Sequence, residues 1–304
     1  MKVLITGGAG FIGSHVVDEC LEHNYEVVVV DNFSTGNAKN LPKECKVYSV
    51  DINEPLLKHI FEAEKPDYVI HLAAQASVMK SIEDPIQDGL TNIIGTLRVL
   101  EYSRIHCVKK VIMASSAAVY GNPEVLPVDE EFPLNPLSYY SLSKWSSERY
   151  AQLYESLYNL SSCILRFSNV YGPRQNSLGE AGVVSIFINQ LLKGEEMVIY
   201  GGHQTRDFVY VKDVAKACRT AMESTKTGIF NISSCSETTI NELFSMTSLL
   251  AGITVEPQKF PLRLGEIEKS FLGNEKAINE LGWQATHSLE EGLSETIVTY
   301  NASK

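Results

Sequence analysis

Thr6-Gly7-Gly8-Ala9-Gly10-Phe11-Ile12-Gly13 is the stretch whose reading decides the fold. It follows the apolar run Val3-Leu4-Ile5 and opens a helix-like segment, so the order is strand, glycine turn, helix. A dinucleotide phosphate loop requires that order. Gly7 permits the tight turn and Gly10 lets backbone N–H groups approach a pyrophosphate. Gly13 lets the helix lie close on the strand, its N-terminus facing the anion. Phe11 and Ile12 begin that helix. The second strand ends in Asp31, whose carboxylate can accept hydrogen bonds from both ribose hydroxyls of an adenosine and would repel a 2′-phosphate. The expected cofactor is NAD rather than NADP.

Working outward, apolar runs of strand length alternate with amphipathic stretches through the first half. Strands are expected at Lys2–Thr6, Tyr25–Asp31, Lys46–Asp51, Tyr68–Ala73, Val108–Ser115 and Cys163–Phe167, with the longest helices at Asp88–Ile105 and Ser138–Tyr158. This alternation implies an α/β protein: a Rossmann-type doubly wound parallel sheet covered on both faces. After Phe167 the pattern becomes turn-rich. Short strands are expected near Met197–Tyr200, Phe208–Val211 and Ile229–Ile232, and helices near Val214–Ser224, Ile240–Ala251, Asn274–Leu281 and Leu289–Tyr300. The expected organisation is a cofactor domain over residues 1–167, with later returns near 205–232, and a smaller, interleaved C-terminal α/β substrate lobe over 168–304.

Bulk properties fit a metabolic enzyme. The chain has 304 residues, 44% hydrophobic and 21% charged, with a formal net charge of −11. That charge disfavours nucleic acid and anionic membrane as partners. A phosphate-bearing ligand must then be held by a few local arginines and backbone amides. The six cysteines, Cys20, Cys45, Cys107, Cys163, Cys218 and Cys235, have no metal spacing, and most sit in apolar segments, which reads as buried reduced thiols. The first strand begins at once, leaving no room for a signal peptide, and no apolar run reaches membrane-spanning length, so a cytoplasmic location is expected.

The catalytic signal is Tyr140-Ser141-Leu142-Ser143-Lys144. Spacing i, i+4 puts a phenol and an ammonium on one helical face. Free tyrosine is a poor base at neutral pH, but a lysine charge and a bound nicotinamide cation both favour the phenolate. Tyr139 has Ser143 at the corresponding place and no such partner. Ala114-Ser115-Ser116 leaves a strand C-terminus, where open α/β sheets bind ligands, and offers the Ser116 hydroxyl to a substrate oxygen.

Taken together, these motifs resemble the extended short-chain dehydrogenases/reductases, in the branch of NAD-dependent nucleotide-sugar epimerases and dehydratases. The likeness covers essentially the whole chain. Asp31-Asn32-Phe33-Ser34-Thr35-Gly36 is similar to the family's adenosine-ribose loop, and Asp51-Ile52 to the pair beside the adenine. His71-Leu72-Ala73-Ala74-Gln75 resembles the fourth-strand motif lining the cofactor, with Asn92 its usual partner. On the nucleotide-sugar side the resemblance implies Ser77, Ser116, Asn169, Arg174, Arg206, Arg263, Glu266 and Ser270. Of these, Arg263-Leu264-Gly265-Glu266 is similar to the family's diphosphate-gripping Arg-x-Gly-Asp, with Glu in place of Asp. The implied catalytic residues are Ser116, Tyr140 and Lys144, with Lys144 also holding the nicotinamide ribose. No metal is implied.

The implied reaction is 4-epimerisation of a UDP-hexose through a 4-keto sugar. The family's 4,6-dehydratases carry Asp-Glu after the serine or threonine, where this chain has Ala117-Ala118. Members acting on glucuronate resemble Tyr-Gly-Pro-Arg-Gln-Arg, whereas this chain reads Tyr171-Gly172-Pro173-Arg174-Gln175-Asn176 and lacks the last cation. A neutral hexose is therefore favoured. UDP-glucuronate epimerisation, another nucleotide-sugar oxidoreduction or dehydration, and a non-catalytic NAD-binding role remain as alternatives. Ser270, seven residues after Arg263, resembles the gate beside the sugar's carbon 2, and its small size implies that an N-acetyl group is also admitted. Relatives pair two helices with a partner's, and Leu97, Leu100, Trp145, Tyr150, Leu153, Tyr154 and Leu157 supply apolar surface for such a homodimer.

Overall fold

The computed structural model describes residues 1–176, 182–262 and 267–302. Seven parallel strands form the central sheet. They are β1 (Lys2–Thr6), β2 (Glu26–Asp31), β3 (Lys46–Ser49), β4 (Tyr68–His71), β5 (Lys110–Ser116), β6 (Ser162–Phe167) and, last in the chain, the Gly228–Ile232 strand. Their spatial order is Gly228–Ile232, β6, β5, β4, β1, β2, β3. The strands stay parallel, but the order in which the chain adds them reverses between β1 and β4, and ligands of open sheets sit at that switch point, beyond the strand C-termini.

Side-chain alternation along each strand divides the core between the two faces. Val3, Ile5, Val27 and Val29 pack on one face with Val16, Val17 and Cys20 of the Phe11–Glu22 helix and Cys218 and Ala221 of the Val211–Glu223 helix. Leu4, Val28 and Val30 pack on the other with Leu57, Phe61, Val99, Leu100 and Ala151. Strands buried on both faces read as unbroken runs, which is why Val27–Val30 is continuous valine.

Beyond β6 a third cluster, built on Phe187, Ile188, Ile199, Tyr210, Leu243 and Leu293, packs the second half of the chain. Asn169–Tyr171 pairs in parallel with Phe208–Tyr210, and Thr205–Arg206 pairs with Thr238–Thr239, both outside the large sheet. Among the described residues, Gly228–Ile232 is the part of 205–232 that returns to that sheet.

The single helix expected over Asp88–Ile105 is instead three segments: Pro85–Gly89, a π turn at Leu90–Gly95, and Thr96–Ile105. Asp84 starts the first by accepting from the Gln87 N–H at 2.9 Å, with Pro85 at the first position. The π turn frees the Asn92 carbonyl, which accepts from the Thr96 hydroxyl at 2.5 Å and from the Ser147 hydroxyl of the neighbouring helix at 2.8 Å. The helix expected at Asn274–Leu281 is likewise a π turn over Ala277–Leu281. Of the cysteines, Cys20, Cys163 and Cys218 are buried, Cys45 and Cys235 half-buried, and Cys107 exposed. No helix among the described residues is long and apolar enough to cross a membrane.

Candidate active site

A cavity of about 630 Å³ opens at the C-terminal ends of the strands. Gly7, Gly10, Phe11, Ile12 and Gly13 form one wall, and Asp31, Asn32, Ser34, Thr35, Asp51 and Ile52 lie toward one end. Leu72, Ala73, Ala74 and Gln75 follow β4, and Tyr140, Lys144 and Asn169 also line it.

The residues fit a dinucleotide. The Phe11–Glu22 helix aims its N-terminus at the cavity with Gly10 as a cap that lends no side-chain hydrogen bond, and its first turn holds no acidic residue. Its leading N–H groups are thus available to an anion. A Cβ on Gly13 would lie 2.0 Å from the Gly7 carbonyl oxygen, so the helix can sit this close only with glycine there. Asp31 is shaped by accepting from the Ala9 N–H at 2.9 Å and the Phe33 N–H at 2.8 Å, which leaves each carboxylate oxygen a further lone pair for a ribose hydroxyl. Gly36 backs it: a Cβ there would come within 2.9 Å of the Asp31 Oδ1. Asn32 donates to Asp51 at 2.6 Å, joining the two loops expected at ribose and adenine.

Asn92 does not line the cavity; it is buried behind Gln75. Its Oδ1 accepts from the Gln75 N–H at 2.9 Å, and its Nδ2 donates to the Gln75 carbonyl at 2.9 Å, to Asp88 at 3.1 Å and to the Ser143 hydroxyl at 3.0 Å. One amide thus ties the end of β4 to the Tyr139–Tyr158 helix, which bears Tyr140 and Lys144. A Ser138–Ser141 capping box starts this helix just before Tyr140.

The Lys144 Nζ donates to the Ala114 carbonyl at 3.0 Å. Burial pushes its ammonium down to about 8, while the nearby Asp88 and Glu148 carboxylates hold it up, so it carries its proton at neutral pH. His71, between Thr6 at 2.7 Å and Thr96 at 3.0 Å, is pushed down to about 3 by burial and then by Lys144, and stays neutral. The positive charge beside Tyr140 is therefore that of lysine.

Other expected residues stand elsewhere. The Ser116 hydroxyl accepts from the Ala118 N–H at 3.2 Å, and its neighbour Ser115 lines the cavity in its place. Ser77 caps the Val78–Glu83 helix by accepting from the Lys80 N–H at 3.2 Å. Arg174 is exposed, pairs with Asp18 at 2.8 Å and is not among the residues lining either cavity, though its neighbour Gln175 lines the first. Arg206 lines a second cavity of about 400 Å³, together with Phe187, Tyr200, Gln204 and Asn169, the last shared with the first cavity. Ser270 is half-buried and lines neither cavity. Its segment is held by Phe271 accepting from the Val128 N–H at 2.9 Å and by Glu268 accepting from the Thr205 N–H at 2.8 Å. Arg263 and Glu266 lie outside the described residues.

Sequence reading missed Glu148 and Arg166. Glu148 follows Lys144 by one turn, on the buried stripe of the same helix, and a carboxylate there needed a partner. It also missed Asp207, fully buried, which accepts from the Ser168 and Ser234 hydroxyls and from the Ser234 and Leu272 N–H groups. Burial pushes that carboxyl up to about 6.

A doubly wound parallel sheet with an anion-binding glycine turn and a tyrosine–lysine pair facing the same cavity defines a nucleotide-cofactor enzyme of the short-chain dehydrogenase type. The chain belongs to the NAD dependent epimerase/dehydratase family, whose sequence model matches residues 3–233. The structure is similar to that of the UDP-glucose 4-epimerase of Thermotoga maritima, solved with UDP-glucose, at 45% identity and a TM-score of 0.97, covering 100% of this chain and 99% of that one. It is also similar to a UDP-N-acetylglucosamine 4-epimerase from Methanobrevibacter ruminantium, solved in complex with UDP-N-acetylmuramic acid, at 34% identity and a TM-score of 0.96, covering 100% and 99% of the two chains. The UDP-glucose 4-epimerase of Mycolicibacterium smegmatis is 40% identical over 98% of this chain and 97% of its own.

Proposed function

We propose that this enzyme interconverts UDP-glucose and UDP-galactose by 4-epimerisation. The observation that carries the reading is the shared wall: Tyr140, Lys144, the phosphate loop and Asp31 line one cavity. Held by the phosphate loop, Asp31 and Lys144, NAD⁺ would supply a reversible hydride acceptor for carbon 4 of the sugar. Tyr140, as phenolate, takes the proton of the 4-hydroxyl, and Lys144 stabilises that phenolate and holds the nicotinamide ribose. Ser116, once the sugar reaches it, shares its hydroxyl with the same oxygen. Arg206 supplies cationic charge for the diphosphate in an acidic chain, together with Arg263. Ala117 and Ala118 offer no acid or base for removing water, and Asn176 offers no charge to a uronate. The names of the relatives above agree with this substrate class. The test is incubation with UDP-glucose, UDP-GlcNAc, UDP-glucuronate and dTDP-glucose. UDP-galactose should form from UDP-glucose with no stoichiometric NADH, and net NADH accumulation or an unsaturated product would overturn the reading.

Ser270 extends the proposal to UDP-GlcNAc and UDP-GalNAc. An acetamido group is several heavy atoms larger than a hydroxyl, and packed sites do not stretch to fit it. Ser270→Tyr is expected to cut turnover of UDP-GlcNAc at least roughly tenfold relative to UDP-glucose. Equal effects on both sugars would remove Ser270 from the gate.

We further propose a homodimer. Leu100 is fully buried, and Trp145, Tyr150 and Tyr154 are partly buried against the core, so these do not supply the face. Ile86, Leu90 and Ile94 are exposed four residues apart, Met79 and Ile82 are exposed on the preceding Val78–Glu83 helix, and Leu142, Leu153 and Leu157 are exposed on the adjoining Tyr139–Tyr158 helix. An apolar area of this extent on packed helices fits a second copy. Light scattering should give twice the 33.7 kDa chain mass, and the chain mass alone at micromolar concentration would contradict it.

A further inference from the structure

Behind Tyr140 lies a buried ionic pair that the proposed reaction does not use. Glu148 and Arg166 are 1% and 2% exposed. The guanidinium donates twice to the carboxylate, Nε to Oε1 at 2.9 Å and Nη2 to Oε2 at 2.7 Å. Glu148 Oε1 also accepts from the Ser115 hydroxyl at 2.5 Å. Arg166 Nη1 donates to the Tyr120 hydroxyl at 2.8 Å, and Tyr120 donates to Asn231 Oδ1 at 2.7 Å.

These bonds tie the Tyr139–Tyr158 helix to the end of β5 at successive residues. Lys144 donates to the Ala114 carbonyl, and Ser115 donates to Glu148. Ser116 follows directly. Tyr140, Lys144 and Glu148 are spaced i, i+4, i+8, one stripe of one helix. A rigid link at both Ala114 and Ser115 fixes where Ser116 stands relative to Tyr140. The charge arrangement is equally specific. Glu148 sits one turn from Lys144, and an uncompensated carboxylate there would oppose the lysine's field at Tyr140. Arg166 cancels it.

We propose that Glu148 and Arg166 are a positioning pair for the Tyr140 base: Glu148 anchors the Ser115–Ser116 strand end to the catalytic helix, and Arg166 neutralises Glu148 so that the Lys144 charge acts on Tyr140 undiminished. This rests on Tyr140 being the base. The charged and titratable groups facing the pair are Lys144 on the same helix, Tyr120 on the turn after β5, and Glu130 on the following loop, whose carbonyl accepts from Arg166 at 3.3 Å. Asp88 and neutral His71 face Lys144 from the Pro85–Gly89 helix and β4.

Two variants separate anchor from charge. Glu148→Gln keeps an acceptor for Ser115 and leaves Arg166 uncompensated. Extra positive charge stabilises phenolate, so the acid limb of kcat against pH should move down, and the alkaline limb with it, because Glu148 no longer holds up the Lys144 ammonium. Over ~12 Å, eight residues of helix, at an effective dielectric of about 20, the shift is roughly half to one pH unit. Glu148→Leu/Arg166→Met removes both charges and the anchor. Replacing a whole buried pair by apolar side chains is often neutral for stability, so this variant should fold. Its acid limb should coincide with wild type, while kcat falls about tenfold or more and KM changes little. A folded Glu148→Gln enzyme with an unmoved limb, or a double variant with wild-type kcat, overturns the proposal.

The tyrosinate absorbance of NAD-bound protein, taken as the difference from its Tyr140→Phe counterpart across pH, reads the same coupling without turnover. If that titration shifts in Glu148→Gln but no nucleotide sugar reacts, the pair's role stands and the epimerase reading falls. If sugars react but the titration does not shift, the pair's role falls alone.

Discussion

Replacing Tyr140 with phenylalanine is expected to lower kcat by roughly 10²–10⁴-fold, the usual cost of losing a positioned general base, while the fold and NAD retention persist. Phenylalanine keeps the ring on the cavity wall and deletes one oxygen. Among the described residues, the nearby titratable groups are not suited to take over. Lys144 carries its proton at neutral pH, as its ammonium is pushed down only to about 8. His71 is neutral, but both its ring nitrogens face threonine hydroxyls, Thr6 and Thr96. The Ser116 hydroxyl accepts from the Ala118 N–H at 3.2 Å, and an unactivated hydroxyl is no base at neutral pH. The measurement is initial rate with UDP-glucose at saturation, alongside NAD content after denaturation. Retention of more than about a tenth of wild-type kcat would show that another group is the base, since base catalysis is worth at least ~10²-fold.

The cofactor half of this fold was legible because its signals are local. The glycine turn, the valine strand and the terminal Asp31 are each set by a few consecutive residues, and the cavity gathers them as expected. Elements decided by tertiary contacts were less so. Val183–Lys193 is an α-helix that the sequence reading left unassigned. Its Val-Val-Ser-Ile-Phe-Ile start has strand composition, and its helical period is fixed by Phe187, Ile188 and Leu191 packing into the third cluster. The break inside the expected Asp88–Ile105 helix was equally hidden, because it depends on Ser147, a residue 55 positions beyond Asn92, taking its carbonyl.

Within the site, spacing alone put Tyr140 and Lys144 on the helical face that lines the cavity, whereas the pairing of Arg174 with Asp18 was not readable. Gly172, at φ +152°, and Arg174 itself, at φ +65°, bend the chain so that the guanidinium meets Asp18 on the first helix. Between them, the Pro173 carbonyl faces His15 Nε2 at 3.0 Å, fixing the same turn. A spacing rule carries no information about such a bend. The buried Glu148–Arg166 pair escaped for a related reason: 18 residues separate its partners, and neither residue alone says which charge meets it.

Gly13→Ala should abolish NAD retention. A Cβ at residue 13 would lie 2.0 Å from the Gly7 oxygen and 2.8 Å from the Gly7 carbonyl carbon and the Gly8 Cα, all backbone atoms that no rotamer change can move aside. Gly7 cannot retreat: it sits at φ +70°, with Ala73 backbone 2.7 Å from where its own Cβ would be. The first helix must therefore back away from β1, taking the N–H groups of its first turn off the pyrophosphate position. Overpacking of this kind costs about 1–3 kcal/mol. If the whole cost falls on the bound state, affinity drops roughly 10–100-fold, and the displaced N–H groups add to that. The purified variant should release little NAD on denaturation and should bind added NAD weakly by calorimetry, with Tyr140 and Lys144 untouched. Because Ala is otherwise the better helix former, the thermal midpoint without NAD should fall less than the affinity loss implies. An alanine variant that retained NAD at the wild-type level would mean the phosphate loop accommodates the extra methyl, and the close helix–strand packing would not be what holds the cofactor.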